Sequence, residues 1–233
     1  MKQKLGFVCF IFLLLVAFTV TAQTTLDNLT IVHISDTHIC DLTGYEPYFQ
    51  ERREHYGNGQ EPLKRFLETI PSQQNADAVV LTGDIIDFFE ARAISGQMLE
   101  GQIEQFASLY ELSPVPFFMA LGNHDIASYW VQDDSKIEYT QVYSQRARAA
   151  WSRNISCFKN GTYYAKRFKI GEQLYRFIFL DDGYYLKDDV MGNLWDKQQL
   201  DWLDNQLSDG KDEVAVLFTH IPIPVGDTNG DGI

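Results

Sequence analysis

Positively charged residues are scarce in this sequence, and internal repeats and low-complexity segments are missing. Lys and Arg total 19 against 32 Asp and Glu, which gives a formal net charge of −13 at pH 7. A surface of that sign repels polyphosphate backbones, so the composition argues against a general DNA- or RNA-binding protein. It leaves open a small phosphate ester held by metal ions. Hydrophobic residues make up 45% of the 233 residues and aromatic residues 14%, so disorder is excluded and one or two folded domains are expected.

Cysteine is also rare, with three residues in the chain. Cys9 lies in the leading apolar segment, which leaves Cys40 and Cys157 for the folded part. Two cysteines do not make a disulfide scaffold. One bridge between them and two free thiols are both open alternatives for an exported protein.

The first 22 residues have the features of a secretory signal peptide. Lysines at positions 2 and 4 precede an apolar run that ends at Val20, and Val20 and Ala22 are small residues of the kind that signal peptidase requires. We therefore expect cleavage after Ala22, one folded domain over residues 23–233, and a secreted or periplasmic location. An uncleaved anchor helix is the alternative, but the run is shorter than the roughly 20 residues that span a bilayer. We expect no stable membrane span after cleavage.

Short apolar runs alternate with amphipathic segments along the mature chain, which is typical of an α/β domain. The apolar runs predict strands over residues 29–34, 76–81, 115–121, 163–168, 174–180 and 213–218. Helical spacing of apolar residues predicts helices over residues 62–70, 96–112 and 195–207. We expect Gly171 at the hairpin turn between the fourth and fifth strands. The last helix carries its apolar face on Leu200, Leu203 and Leu207.

Polar residues follow four of the predicted strands. These residues are Asp36, Asp84, Asn123 and His220. Ligands of open α/β sheets bind outside the carboxyl ends of the strands, so we expect the four side chains to converge although they are far apart in sequence. Buried polar groups at four strand ends would be costly without a shared partner. The pattern therefore predicts a binding site at this edge of the sheet.

Carboxylate, amide and imidazole groups together are typical ligands of transition metals. This mixture suits Mn, Fe or Zn better than Ca or Mg, which prefer all-oxygen shells. Asp36 and His38 can point at one centre, and the two oxygens of Asp84 can bridge two ions. Two ions about 3.5–4 Å apart would clamp a phosphoryl group and lower the pKa of a bound water, whose hydroxide would attack phosphorus in line. No Ser or Cys nucleophile is needed, and the expected partner is a small phosphate ester.

Four sequence blocks resemble the motifs of the calcineurin-like metallophosphoesterases. The blocks are Asp36-Thr-His38, Gly83-Asp84-Ile-Ile-Asp87, Gly122-Asn123-His124-Asp125 and, after a later strand, His220. Their order and spacing match that family over about residues 29 to 224. The resemblance implies a two-sheet α/β sandwich flanked by helices, with its site at the carboxyl ends of the strands. It also implies a phosphoric ester hydrolase that depends on two divalent metal ions.

The same resemblance implies a role for each site residue. The implied ligands are Asp36, His38 and a bridging Asp84 for one metal ion, and Asp84, Asn123 and His220 for the other. His124 would hydrogen-bond the phosphoryl oxygens or protonate the leaving group. Asp125 would orient His124, as residues behind a ligand shell commonly do. Asp87 would support the loop rather than bind metal.

Two departures from the family pattern bear on these expectations. The family closes its site with a Gly-His-x-His block after the position of His220, and this sequence stops 13 residues after His220 without one. We therefore expect either a C-terminal truncation that removes the last strands or a domain whose two metal sites each lack one ligand. The second alternative favours a catalytically silent binding module. At the other departure, Asp87 stands where purple acid phosphatases carry Tyr, which favours the non-purple branch.

Other residues allow two interpretations each. A calcium-binding loop and a series of Asx turns both account for Asp227, Asn229 and Asp231. A substrate-pocket wall and a local apolar cluster both account for Tyr45, Tyr48, Phe49 and Tyr56. Asp181 and Asp182 could either face the site or cap a turn. The sequence does not determine the oligomeric state or the choice among monoesters, diesters and pyrophosphates.

Overall fold

The fold is described from a computed structural model that covers residues 25–132, 136–182 and 197–222. The predicted signal peptide over residues 1–22 and the calcium-loop pattern that begins at Asp227 lie outside these described residues and stay predictions. Within the described ranges, no helix has both the length and the apolar character needed to cross a bilayer.

Short strands and helices alternate along the chain as the sequence predicts. The strands are β1 (Thr25–Leu26), β2 (Ile31–Ile34), β3 (Ala78–Thr82), β4 (Glu90–Arg92), β5 (Met98–Leu99), β6 (Phe117–Ala120), β7 (Ser128–Val131), β8 (Ile137–Thr140), β9 (Tyr164–Ile170), β10 (Gln173–Phe179) and β11 (Val214–Phe218). The helices are α1 (Pro47–Arg53), α2 (Gln60–Gln73), α3 (Gln102–Tyr110), α4 (Ser144–Asn154) and α5 (Lys197–Asp209). All six predicted strands are present, with boundaries within about two residues of the prediction.

A parallel sheet in the order β2-β3-β6 forms the centre of the domain. All five residues of β3 are buried, because this middle strand is covered on both faces. On one face, Leu67 of α2 and Phe106 of α3 belong to the same buried cluster as Val79 and Leu81 of β3. Since the three strands are parallel, their carboxyl ends meet at one edge of the sheet.

A second sheet, in the order β1-β9-β10-β11, packs against the other face of the central sheet. Val80 of β3 lies in one buried cluster with Phe177 and Phe179 of β10, and Phe218 of β11 packs against that cluster. Strands β9 and β10 pair antiparallel around Gly171, whose φ of +56° places it in the turn as predicted. The mixed α/β fold with stacked sheets that the sequence predicts is therefore confirmed.

A third sheet, in the order β5-β4-β7-β8, was not predicted. Part of it lies in residues 96–112, which the sequence predicts as one helix. That prediction is wrong over residues 96–101, because α3 begins only at Gln102. Gly96 and Gly101 have φ values of +81° and +137°, a backbone region that no helix can include.

The two remaining cysteines are free thiols rather than a disulfide. Cys40 is buried in a cluster with Tyr45 and Phe49, whereas Cys157 packs against the main core. Burial raises the pKa of each thiol to about 12. Neither sulfur is therefore a reactive thiolate at neutral pH.

Candidate metal centre

The loops that follow β2, β3 and β6 lie side by side at the carboxyl edge of the central sheet. The N–H of Asp36 donates to the carbonyl of Gly83 at 3.1 Å, and the N–H of His38 donates to the carbonyl of Asp84 at 2.9 Å. The N–H of Gly83 donates to the carbonyl of Ala120 at 2.9 Å. These main-chain bonds fix the loops relative to one another, so the side chains that they carry are brought together.

Three of the predicted ligands have a left-handed backbone. The φ values are +54° for Asp36, +41° for His38 and +47° for Asp84. Residues with a Cβ rarely adopt this region, and each such residue costs about 1–3 kcal/mol. Strain of this kind persists only where the surrounding structure enforces it. Its concentration at three adjoining loop positions is typical of a functional site.

The side chains of four predicted ligands converge on one point. His38 Nε2 lies 3.5 Å from Asp84 Oδ2 and 3.9 Å from Asp36 Oδ1. His220 Nε2 lies 3.3 Å from the same Asp84 oxygen. The ligand atoms form two overlapping groups, within 4.8 Å of one another in each: His38, Asp84 and His124, and Asp36, Asp84 and His220. Asp84 belongs to both groups, as a bridging carboxylate must.

Each histidine of the site is held through Nδ1. His38 Nδ1 lies 3.2 Å from Asp87 Oδ1, and His220 Nδ1 lies 3.2 Å from the carbonyl of Thr82. His124 Nδ1 lies 2.8 Å from the carbonyl of Asp87. Carboxylate and carbonyl oxygens only accept, so each Nδ1 carries a hydrogen. The lone pair of each neutral ring is then on Nε2, which is the arrangement of a metal-binding histidine.

Asn123, the remaining predicted ligand, lies directly before the 3-10 helix His124–Ile126. The N–H of His124 donates to Asp84 Oδ1 at 3.0 Å, which places the neighbouring Asn123 beside Asp84. The loop therefore belongs to the same group of loops as the other ligands. Metal coordination by the Asn123 side chain stays a prediction.

Two motif glycines allow the loops to approach. A Cβ added to Gly83, whose φ is +72°, would collide with the ring of His220. A Cβ added to Gly122 would collide with the main-chain nitrogen and Oδ1 of Asp84. Only glycine fits at these contacts, so both glycines are needed for His220 and Asp84 to meet.

The buried carboxylate of Asp87 joins two of the histidines to an arginine. Arg53 donates from Nε to Asp87 Oδ2 and from Nη2 to Asp87 Oδ1, both at 2.7 Å, in a bidentate pair. Asp87 Oδ1 also lies 3.2 Å from His38 Nδ1 and 3.4 Å from His124 Nδ1. Burial by itself would raise the pKa of Asp87, but the histidine hydrogen bonds and the charge of Arg53 lower it to about 2. Asp87 thus orients site side chains as well as supporting its loop.

Sequence reasoning did not identify Arg53. It is the last residue of α1, and its guanidinium lies 5.1 Å from the ring centroids of both Tyr56 and Tyr129. Arg53 Nη2 is also 3.3 Å from His124 Nδ1. The surrounding sequence is a polar stretch with the composition of a solvated loop, and no spacing signal connects it to the strand-end motifs.

The aromatic residues near α1 divide between the two interpretations that the sequence allows. Tyr45 and Phe49 are buried in an apolar cluster with Phe88. Tyr56 instead stacks on the ring of His38, with 4.5 Å between centroids, and Tyr48 lines a cavity next to Arg53.

Asp125 has partners other than the one predicted for it. Its carboxylate accepts the N–H of Ile86 at 2.9 Å and the N–H of Gly122 at 2.7 Å, so it joins two loops, while Asp87 holds the ring of His124. The expectation that Asp125 orients His124 stays a prediction, and the described contacts of its carboxylate are with loop main chain. Consecutive side chains of a 3-10 helix point about a third of a turn apart, which directs Asp125 away from its neighbour. Burial and the charge of Asp84 raise the pKa of Asp125 to about 8.

The two aspartates after β10 have structural contacts, since Asp182 caps a turn and Asp181 forms an ion pair with an arginine. Asp182 accepts the N–H of His220 at 3.2 Å and that of Ile221 at 2.9 Å, so it fixes the loop that carries His220. Burial raises the pKa of Asp182 to about 7. Asp181 is paired with Arg148 at 2.6 Å. The turn-cap interpretation is thus the one that Asp182 fits.

The carboxylates make the site attractive to positive charge. Burial disfavours the charged form of His220, but the hydrogen bond and the charge of Asp84 outweigh burial and raise the pKa of His220 to about 9. The pKa of His124 is also raised, because the hydrogen bond to Asp87 and the charge of Asp84 outweigh burial there. The pKa of Asp84 is lowered although burial opposes this, because His220 and His124 stabilise its charged form.

Comparison with known proteins places these motifs in a family. A family model for calcineurin-like phosphoesterases matches residues 29–233. A solved dimetal phosphatase from Danio rerio superposes with a TM-score of 0.51 at 18% identity, covering 84% of this chain and 70% of that one, and this likeness bears on the fold alone. A protein of unknown function from Aquifex aeolicus matches at 11% identity over 81% of this chain and 77% of that one, but its TM-score of 0.36 supports no conclusion. No curated protein matches the sequence. The family match covers all four motif blocks and every strand of the two stacked sheets except β1, and the chain belongs to the calcineurin-like phosphoesterase family.

Proposed function

We propose that this protein is an exported phosphoesterase that hydrolyses phosphate monoesters or diesters with two divalent metal ions. The observation that carries the proposal is the sharing of Asp84 by two groups of ligand atoms. His38 Nε2 and His220 Nε2 lie 3.5 Å and 3.3 Å from the same Asp84 oxygen. Their Nδ1 atoms are held by other acceptors, so both Nε2 atoms are directed at this point. A cation there would compensate the carboxylates and use both lone pairs.

The donor set fits Mn, Fe or Zn, since it mixes imidazole nitrogen with carboxylate and amide oxygen. One ion would be held by Asp36, His38 and Asp84, and the other by Asp84, Asn123 and His220. When bound, such ions polarise the phosphoryl oxygens and lower the pKa of a coordinated water.

His124 is the proposed proton donor. Its Nδ1 is occupied by the carbonyl of Asp87, so Nε2 is the atom that faces the substrate. The raised pKa of His124 favours a proton on Nε2, which can be given to a phosphoryl oxygen or to the leaving group. Arg53 and Asp87 keep the ring in this orientation.

Export is proposed from the sequence of the first 22 residues alone. Expression of the full chain in a secreting host, followed by N-terminal sequencing of the processed protein, should give Gln23 as the first residue. An intact N-terminus in the membrane fraction would contradict export and favour the anchor helix.

The activity is tested with metal-stripped protein reloaded with Mn or Zn. We expect about two metal ions per chain and hydrolysis of 4-nitrophenyl phosphate or bis(4-nitrophenyl) phosphate. Asp84→Asn should reduce metal content and lower hydrolysis at least about a hundredfold, because both ions lose a shared ligand. Asp201→Asn, an exposed carboxylate on α5, is the matched control and should change neither.

Two outcomes would redirect the proposal. If reloaded wild-type protein hydrolyses neither ester, the phosphoesterase activity is wrong for this chain, and weak metal uptake would favour the silent binding module. His124→Gln should keep both ions while turnover falls about a hundredfold. Loss of an ion in that variant would make His124 a ligand instead of a proton donor.

A further inference from the structure

A cavity of about 530 Å³ lies between α4 and the first turns of α5, beside the loop that precedes β9. This volume is within the range for small-molecule sites, which often lie between helices. Its described lining includes none of the predicted metal ligands, so the cavity is separate from the candidate metal centre. The proposed phosphoesterase activity gives it no role.

Helix α4 lines the cavity with one face and packs into the core with another. Its lining residues run from Gln145 to Ser152 at spacings of three and four, so they share one side of the helix. Trp151, by contrast, is fully buried in the main core. Ala149 is an exposed lining residue with a small side chain, which leaves room between the two helices.

A buried ion pair forms the floor of the cavity. Arg148 donates from Nε to Asp181 Oδ2 at 2.6 Å and from Nη2 to Asp181 Oδ1 at 3.0 Å. The hydroxyl of Thr162 donates to the same carboxylate, and the side-chain amide of Gln199 bonds the main-chain N–H and carbonyl of Asp181, both at 2.8 Å. All four residues are buried, so the floor is fixed before a ligand arrives.

The lining favours a ligand without net charge. Arg148 and Asp181 are the charged residues among the lining residues that the structure describes, and they neutralise each other. A charged ligand would leave water without a free counter-charge in this lining, which is costly. The remaining polar groups are amides and hydroxyls, and they suit a neutral polar ligand.

Two aromatic rings form a further wall. Tyr163 and Trp202 have ring centroids 5.0 Å apart and planes inclined at 57°. A flat ligand such as a nucleobase stacks best between parallel rings, and this inclined pair forms no parallel slot. A sugar ring instead presents C–H groups to one aromatic face and hydroxyl groups around its edge. One ring face beside many polar side chains suits that division.

Side-chain amides and a hydroxyl surround the opening. Gln145, Asn160 and Gln198 are exposed there, and Ser152 is half-buried. An amide side chain both donates and accepts hydrogen bonds, and so does each hydroxyl group of a sugar. The opening therefore matches the edge of a sugar ring in polarity.

We propose that this cavity binds a neutral sugar ring. The ring stacks its C–H face on Trp202 and directs its hydroxyl groups toward the amides of α4, α5 and the loop before β9. A free monosaccharide and the end of a longer glycan share this chemistry. Binding requires neither metal ions nor the proposed phosphoesterase activity.

The test is a binding titration of metal-stripped protein, followed by tryptophan fluorescence and saturation-transfer NMR. The probes are glucose, galactose and mannose, the disaccharides maltose, cellobiose and lactose, and adenosine as a planar alternative. We expect at least one sugar to bind at one site per chain with a Kd of about 1 mM, as a ligand of about a dozen non-hydrogen atoms allows. Equal affinity for a monosaccharide and its disaccharide would identify a free sugar as the ligand, and tighter binding of the disaccharide would identify the end of a glycan.

Two variants locate the ligand. Ala149→Leu fills the cavity from an exposed helix position that tolerates leucine, so it should weaken sugar binding at least about tenfold and leave the melting temperature unchanged. Trp202→Ala should weaken binding by a similar factor, because the stacked ring is lost. Trp130→Ala removes a half-buried tryptophan that does not line this cavity, and this matched control should keep the wild-type affinity.

Three results would overturn the assignment. The first is the absence of saturable binding for every sugar up to about 50 mM. The second is sugar binding that survives Ala149→Leu, which would place the sugar elsewhere. The third is tighter binding of adenosine than of any sugar, which would make the cavity a site for planar rings. Since the titration uses metal-stripped protein, its result does not depend on whether the proposed phosphoesterase activity holds.

Discussion

Replacing Asp87 with Asn removes the charge that pairs with Arg53 while keeping the shape of the side chain. Asp87 is fully buried, and the Arg53 side chain is 15% exposed. Loss of one partner of a buried pair costs about 3–5 kcal/mol, because the other charge is left uncompensated. The partial exposure of Arg53 favours the lower end of that range, about 3 kcal/mol.

The lowered pKa of Asp87 gives a second, independent value for the stability that this carboxylate contributes. Its lowering from 3.8 to about 2 in the folded chain corresponds to about 2.5 kcal/mol of stability at neutral pH. A folded pKa below the unfolded one stabilises the fold above the unfolded pKa. That contribution is lost as the pH falls from about 4 through about 2. The part of the stability difference between wild type and Asp87→Asn that comes from the Asp87 charge should therefore be complete above about pH 5 and shrink in acid.

Urea unfolding of metal-stripped protein, followed by tryptophan fluorescence, measures this difference. Asp87→Asn should lower the free energy of unfolding at pH 7 by about 2–3 kcal/mol, and Asp201→Asn by less than about 0.5 kcal/mol. A double-mutant cycle with Arg53→Gln should return a coupling of about 2 kcal/mol. A loss below about 1 kcal/mol, or one that is equally large at pH 3, would refute the claim that the buried pair stabilises the site loops.

Two further predictions concern backbone contact and the sheet edge. Gly122→Ala should lower both the melting temperature and the metal content, because the added Cβ would collide with Asp84. Gly171→Ala is the control, because Gly171 has a positive φ but open space around it. This variant should lower the free energy of unfolding by about 1 kcal/mol and keep the metal. Metal content unchanged in Gly122→Ala would contradict the close approach of the two loops. Among the described residues, β11 is the last strand of its sheet, and its Leu217 is 37% exposed. Leu217→Lys should therefore reduce concentration-dependent association in sedimentation velocity. Leu112→Lys, at a site two residues after α3 that is 39% exposed, should not. If wild type and the two leucine variants associate equally, β11 is not the strand through which the protein associates.

The central sheet and the strand-end positions could be predicted from sequence because their signals are local. A buried parallel strand such as β3 is a continuous apolar run, and the polar residue that follows it marks its carboxyl end. The third sheet gave no such signal. Its strands β4 and β5 are three and two residues long, too short to show a period of two, and the glycines around β5 were included in a predicted helix.

The side chains that orient the site depend on contacts that are remote in sequence. Asp87 meets Arg53 from 34 residues away and His38 from 49 residues away, so no spacing rule relates the three. The family resemblance implies that Asp125 orients His124, but a 3-10 turn directs its carboxylate to the backbone of Ile86 and Gly122. Motifs thus identify residue types that can bind metal, whereas the buried contacts between loops determine which atoms of those residues face the site.

Arg53 is the residue in which these contacts meet. Through Asp87 it influences the orientation of His38 and His124, and its guanidinium also lies over the rings of Tyr56 and Tyr129. The orientation of His38 and His124 therefore depends on one buried pair, which lies outside the motif blocks on the Arg53 side.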